Sequence, residues 1–169
     1  MMSSDKYFWY AIYTKSRAEK KTYALLLQRG FQVYLPLQKK LKQWSDRKKW
    51  VEEPLFNSYM FVHVSEREYY EVLQTPGVVR YITFSGKAAP IREEQINLLK
   101  KILSSESELE ISDYRFSVGE KVNVVGGPFH GMTGELVDLK NSKRFIIRFD
   151  ELNKSIILNI PTVYLEPYF

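Results

Sequence analysis

The chain contains no cysteine, which excludes disulfides, thiolate zinc sites and a cysteine nucleophile. It has two histidines, His63 and His130, and neither sits in a metal-ligand spacing such as H-E-x-x-H. G-x-S-x-G is absent, and Gly126-Gly127-Pro128 lacks the Lys-Ser/Thr pair and following helix of a phosphate-binding loop. Glu52 and Glu53 are neighbours, but adjacent residues of an extended segment face opposite ways, so they do not form a paired-acid site. Neither catalysis nor a cofactor or metal is therefore expected. No apolar run reaches the about eighteen residues of a membrane span. Met1 to Tyr7 lacks the apolar core of a signal peptide. A cytoplasmic protein without membrane association is the simplest expectation.

What is present is an apolar content of 44% over 169 residues, enough for a packed core in one or two small domains. The net charge of +5 hides an asymmetry. Residues 1–103 carry 18 Lys and Arg against 10 Asp and Glu, and residues 104–169 carry 7 against 10. A basic front and an acidic rear predict two domains with different partners, the front being the candidate for nucleic acid.

Phe8 to Tyr13 is aromatic and reads as a strand. Ser16-Arg17-Ala18-Glu19 reads as a capping box opening a helix, with Ala18, Thr22, Leu25 and Leu26 on one stripe and Gly30 ending it. Phe31 to Leu35 is a second strand. Leu37 to Trp50 holds six basic residues with Trp44 and Trp50 interleaved, a protruding arm that Ser45-Asp46 can turn as a hairpin. Asn57 to Val64 is a third strand. Ser65-Glu66-Arg67-Glu68 caps a helix to about Leu73. Val78 to Phe84 is a fourth strand, and Glu93 to Leu103 a helix with Ile96, Leu99 and Leu103 at helical spacing. The order is that of an α+β sandwich of sheet and helices over 1–103. Ser104 to Ser117 is polar and acidic and reads as a linker.

Alternation places Tyr59, Phe61 and His63 on one face of the third strand, and Trp9, Ala11 and Tyr13 on one face of the first. Helices covering only the other face would leave an aromatic patch open to a partner. Covering of both faces, for instance by the arm, is the alternative. Lys15, Arg17, Lys20 and Lys21 surround the start of the first helix, where cations oppose the helix dipole unless an anion binds. With the arm's lysines they form a candidate nucleic-acid track whose phosphate contacts give affinity without sequence choice.

Residues 118–169 are different again. Five of the eight glycines fall between Gly119 and Gly134, among short β-rich runs. That is the pattern of a small barrel with tight corners. The stretch V-G-E-K-V, continuing to G-G-P-F-H-G-M-T-G, resembles a KOW module. Trp9-Tyr10-Ala11-Ile12-Tyr13, Glu53-Pro54-Leu55-Phe56-Asn57-Ser58-Tyr59-Met60-Phe61-Val62 and Thr75-Pro76-Gly77-Val78 precede it in order. Over nearly its whole length the chain resembles the NusG family of transcription elongation and antitermination factors. The resemblance implies an N-terminal NusG-type α/β sandwich with an antiparallel sheet, and a small C-terminal KOW β-barrel. It implies a monomer whose open sheet face binds the clamp helices of the largest RNA polymerase subunit through Trp9, Tyr13, Tyr59 and Phe61. Lys15, Arg17, Lys20 and Lys21 match the region that touches the non-template DNA strand. Phe129 and Leu152 match a KOW contact for a small-subunit ribosomal protein or Rho.

Two departures stand out. The usual Pro-Gly before the Tyr-x-Phe strand is Asn57-Ser58, and Asp150 to Leu158 departs from the housekeeping KOW tail. Both point to a specialised paralogue of the RfaH or UpxY type, suppressing pausing and termination on particular operons such as surface-polysaccharide genes. The alternative is a general NusG factor. The β-branched residues and glycines of the KOW segment disfavour helix, so no helical refolding is expected. An RNA-binding RRM-like module and a ribosome-associated KOW protein are the rivals. The first lacks the Lys/Arg-Gly opening and internal glycine of its signature strand, and the second calls for a basic KOW domain.

Overall fold

The computed structural model describes residues 5–105 and 107–168. Met1 to Ser4, Glu106 of the expected linker and Phe169 lie outside the described residues. The chain divides into two compact units, residues 1–99 and 100–169, and each is described by itself.

The first unit is built on a four-stranded antiparallel sheet in the order β2-β5-β1-β6. Its strands are β1 (Phe8–Thr14), β2 (Gln32–Tyr34), β5 (Tyr59–Val64) and β6 (Val78–Tyr81). Helix α1 (Glu19–Gln28) follows β1, and α2 (Glu66–Leu73) follows β5. The aliphatic face is the core: Ile12, Met60, Val62, Val64 and Tyr81 pack with Leu26 of α1, Val72 of α2 and Phe31. Helix α1 ends in a full Schellman pair, with the Gly30 N–H on the Leu27 carbonyl and the Phe31 N–H on the Leu26 carbonyl. Gly30 has φ +89°, as that motif requires. Ser65 caps α2 with both halves of a capping box in place.

The start of α1 differs from expectation. Arg17 has φ +62°, so Ser16 and Arg17 form a turn and the N-cap falls on Ala18, without a side-chain cap. The Glu19 carboxylate, expected to fold back on its own helix, is buried and accepts the Ser58 N–H at 2.9 Å. A left-handed residue at position 17 cannot carry the N-cap geometry of its predecessor into a helix, and Ser58 offers Glu19 a donor instead.

The arm between β2 and β5 is a regular hairpin, β3 (Leu37–Gln43) with β4 (Lys48–Pro54), paired from Leu37↔Pro54 to Gln43↔Lys48. Its turn is closed by the Trp44 N–H on the Arg47 carbonyl at 2.7 Å. The expected fourth strand is broken after Tyr81. Thr83–Phe84 (β7) turns back on Lys87–Ala88 (β8), because Ser85 and Gly86 both adopt positive φ and so make a tight hairpin turn. Helix α3 (Glu93–Ser104) follows. The division between the units falls inside it, and its buried residues are Ile96, Leu99 and Ile102 rather than Leu103.

The second unit is a six-stranded antiparallel sheet in the order β14-β10-β11-β12-β13-β9. The strands are β9 (Leu109–Ser112), β10 (Glu120–Val124), β11 (Thr133–Leu139), β12 (Ser142–Phe149), β13 (Lys154–Leu158) and β14 (Leu165–Pro167). The short β-rich runs read from the sequence form strands here. Two points correct the expectation. The sheet does not close into a barrel, because the outer edge of β13 is occupied by β9 and, among the described residues, no pairing joins β9 to β14. And β9 lies within the stretch read as a linker, its polar composition masking Leu109 and Ile111, which pair with Leu158 and Ile156. Gly134 is required where it stands: a Cβ there would lie 2.3 Å from the buried ring of Phe145.

Candidate polymerase and nucleic-acid interface

The register of the first sheet arranges its aromatic face in three rows. Gln32, His63 and Trp9 are neighbours across β2, β5 and β1, as are Tyr34, Phe61 and Ala11. Tyr59, Tyr13 and Arg80 make the third row, across β5, β1 and β6.

The first two rows are closed at Trp9, Ala11 and Phe61, while Gln32 is exposed and His63 and Tyr34 are half-buried. Trp9 is 5% exposed and Phe61 0%, so the open face expected there is covered at its centre. The His63 ring lies 5.0 Å from that of Trp9 and 5.8 Å from that of Tyr7, and its Nδ1 is 2.9 Å from Gln32 Oε1. Tyr34 stacks on Phe61 at 6.2 Å, and burial pushes the Tyr34 phenol up to about 12. The Ile91 N–H donates to the Trp9 carbonyl at 2.8 Å, bringing the chain back alongside β1.

The third row is accessible. Tyr13 and Tyr59 are half-buried and meet edge to face at 5.5 Å. The exposed Arg80 places its guanidinium 5.5 Å from the centre of the Tyr13 ring, a cation–π contact. Sequence reasoning missed Arg80 and Tyr34, since their places depend on the pairing of β6 and β2 with distant strands. It identified Tyr13 and Tyr59 by alternation.

The basic turn follows directly from this row. The Thr14 N–H bonds to the Ser58 carbonyl at 2.8 Å and the Lys15 N–H to the Gly77 carbonyl at 2.9 Å, so the turn is pinned at both sides. Gly77, at φ +96°, cannot carry a side chain, because a Cβ would lie 2.0 Å from Thr22 Oγ1. That explains the glycine of Thr75-Pro76-Gly77-Val78. Lys15, Arg17, Lys20 and Lys21 are all exposed. Lys20 Nζ donates to the Glu52 carbonyl at 2.7 Å, joining the helix to the base of the basic hairpin. Lys15, Arg17 and Lys21 make no ion pair among the described residues.

In the second unit Phe129 and Leu152 are 4% and 5% exposed. Both are packed inside their loops rather than presented on the surface.

The family model described as transcription termination factor NusG matches residues 7–100, the stretch that holds the aromatic rows and the basic turn. The chain belongs to the NusG family of transcription termination/antitermination factors. NusG of Streptococcus pyogenes serotype M3 is 27% identical over 157 residues, covering 85% of this chain and 87% of its own. NusG of Bacillus subtilis is 28% identical over 150 residues, covering 80% and 83%. NusG of Thermus thermophilus is 26% identical over 150, covering 78% and 82%. A solved structure of Thermotoga maritima NusG, described as showing a domain interaction, covers 96% of this chain and 97% of its own with a TM-score of 0.56 at 19% identity. That likeness is one of fold. The NusG assignment makes the chain a transcription factor and matches an α+β architecture with a C-terminal KOW-like sheet.

Proposed function

We propose that this NusG-family chain is a non-enzymatic, cytoplasmic elongation and antitermination factor that rides on RNA polymerase. Its docking surface is the Tyr59–Tyr13–Arg80 row, set on the clamp helices of the largest polymerase subunit. Phe61 lies in the neighbouring row of the same face and Trp9 in the row beyond it, both as buried residues that brace the sheet beside that surface. Lys15, Arg17, Lys20 and Lys21 meet the phosphates of the non-template DNA strand. Binding that is tighter for the closed clamp than for the open one shifts the polymerase away from paused states and so suppresses termination. The observation that carries this reading is the accessible three-strand row beside a pinned basic turn, whose Lys15, Arg17 and Lys21 make no ion pair among the described residues, both within the region matched by the family.

Asn57-Ser58 in place of Pro-Gly and the unusual tail Asp150 to Leu158 support a specialised role on particular operons, such as those for surface polysaccharides. The KOW-like sheet recruits a further partner, Rho or a small-subunit ribosomal protein. With Phe129 and Leu152 buried, that contact falls on the loops around them.

The test is binding to purified RNA polymerase by the full chain and by Tyr13→Ala, Tyr59→Ala and Arg80→Gln variants. These positions are at most half-buried, so the variants keep the fold. Phe61→Ala would open a core cavity and cost about 3–5 kcal/mol of stability, which confounds it as a probe. Each of the three variants is expected to weaken polymerase binding at least several-fold. Polymerase binding by the unmodified chain that all three variants retain would remove the docking surface proposed here.

A further inference from the structure

The β3–β4 hairpin carries two unlike faces. Cross-strand partners share a face, so Gln38, Glu53, Lys40, Val51, Lys42 and Lys49 lie on one side. There Glu53 neutralises charge: it pairs with Lys40 at 3.9 Å and closely with Lys42. These lysines hold the Glu53 carboxyl below the usual carboxylate range, its hydrogen bond with Lys42 being the main cause.

The other face presents Lys39, Leu41 and Gln43 opposite Glu52, Trp50 and Lys48. At its centre Trp50 is 65% exposed beside Leu41 at 49%. Nothing among the described residues stacks on that indole. Lys39 and Lys48 are exposed, sit towards opposite ends of this apolar platform and make no ion pair among the described residues. Lys39 and Lys48 lie four residues apart in register with the Leu41–Trp50 pair between them, about 13 Å along the ribbon, of the order of two phosphate steps in a stretched single strand. Of the hairpin's basic residues Lys39 and Lys48 belong to this face, where Glu52 stands opposite Lys39, while Lys40, Lys42 and Lys49 belong to the other. An aromatic platform flanked by unpaired cations is the chemistry of single-stranded nucleic-acid binding, in which bases stack and phosphates pair. A duplex would offer the phosphates but keep its bases from the indole.

We propose that this face of the hairpin binds single-stranded nucleic acid, with a base stacked on Trp50 and phosphates at Lys39 and Lys48. It extends the track that begins at the basic turn, to which Lys20 ties the hairpin base. The proposal rests on the reading of this chain as a factor that meets the non-template strand. It adds a second, stacking contact to that strand.

The experiment is fluorescence anisotropy of a labelled oligothymidine, and of a blunt duplex of equal length, titrated with the full chain at several salt concentrations. The single strand should bind more tightly than the duplex. Trp50→Ala should weaken single-strand binding about 5- to 150-fold, the range for one stacked base, while Trp50→Phe retains most of it. The double variant Lys39→Gln/Lys48→Gln should flatten the log–log salt slope by about 1.4. Circular dichroism should be unchanged, since Trp50 stands on an exposed ribbon. Single-strand binding that Trp50→Ala keeps and Lys15→Gln/Lys21→Gln loses would confine the strand to the basic turn and overturn the hairpin site, leaving the proposed function intact. Preference for the duplex would also overturn it, as phosphate contact without stacking. Absence of any single-strand binding would end both nucleic-acid contacts, and polymerase binding would then decide the remaining reading separately.

Discussion

At the scale of single residues, Glu19 shows how a side chain can satisfy one sequence pattern and serve another. Its spacing from Ser16 is that of a capping box, yet its carboxylate accepts the backbone N–H of Ser58, at 2.9 Å, from a loop far along the chain. Ser58 holds φ +68°, a conformation costly for a residue with a Cβ. The bond to Glu19 helps hold it there. Glu19→Ala should leave that donor unpaired and lower stability by about 1–3 kcal/mol. Glu19→Gln keeps an acceptor oxygen and should lose much less. Urea denaturation of the two variants beside the parent chain measures the difference, and equal losses would assign Glu19 only a packing role. The site residues divide in the same way. Alternation along β1 and β5 put Trp9, Tyr13, Tyr59 and Phe61 on one face, as they are, but depth separates them: Tyr13 and Tyr59 reach the surface and the other two do not.

At the scale of elements, two helices begin with the same Ser-x-x-Glu signature and only α2 uses it. Ser65 accepts the Glu68 N–H, and Glu68 accepts the Ser65 N–H at 3.1 Å. At α1 the left-handed Arg17 interrupts the pattern. Ser65→Ala should therefore cost about 1 kcal/mol and Ser16→Ala close to nothing, as read from paired denaturation curves. Equal costs would mean that the turn at Ser16 also caps its helix. The hairpin, α2, the Schellman end of α1 and the KOW strands were legible because their signals are local: a turn pair, a cap, a glycine, an alternation. The break after Tyr81 and strand β9 were not. Both depend on partners elsewhere: β9 forms because β13 has a free edge, and Glu110 and Ser112 make its composition look like linker.

At the scale of the whole molecule, the first unit packs a tyrosine cluster against its core, with Tyr81 buried and Tyr10 and Tyr69 half-buried. Tyr69 and Tyr81 stack at 3.8 Å, and Tyr10 meets both edge to face. Burial raises the Tyr10, Tyr69 and Tyr81 phenols above the ordinary 10.0 and Tyr34 to about 12. A raised folded-state value means that the native state holds protons the unfolded chain has released. The stability these groups contribute is complete below pH about 10 and is lost as pH climbs through the folded values. Denaturation midpoints should fall steeply from pH about 10 to about 12, and spectroscopic titration should show these phenols ionising together with unfolding. A flat profile over that window would mean that their hydroxyls remain in water.

The sequence by itself determined the family, the type of most elements and the face on which each strand residue lies. These follow from periodicity, local turn chemistry and motifs in order, all of which are properties of near neighbours in the chain. Only the tertiary structure decided which aromatic residues stay accessible, that Arg80 joins Tyr13 and Tyr59, that Lys20 reaches the hairpin, and that the last sheet stays open. Those outcomes depend on strand register and on which edge meets which strand, and non-local pairings of that kind leave no trace in the spacing of residues along the chain.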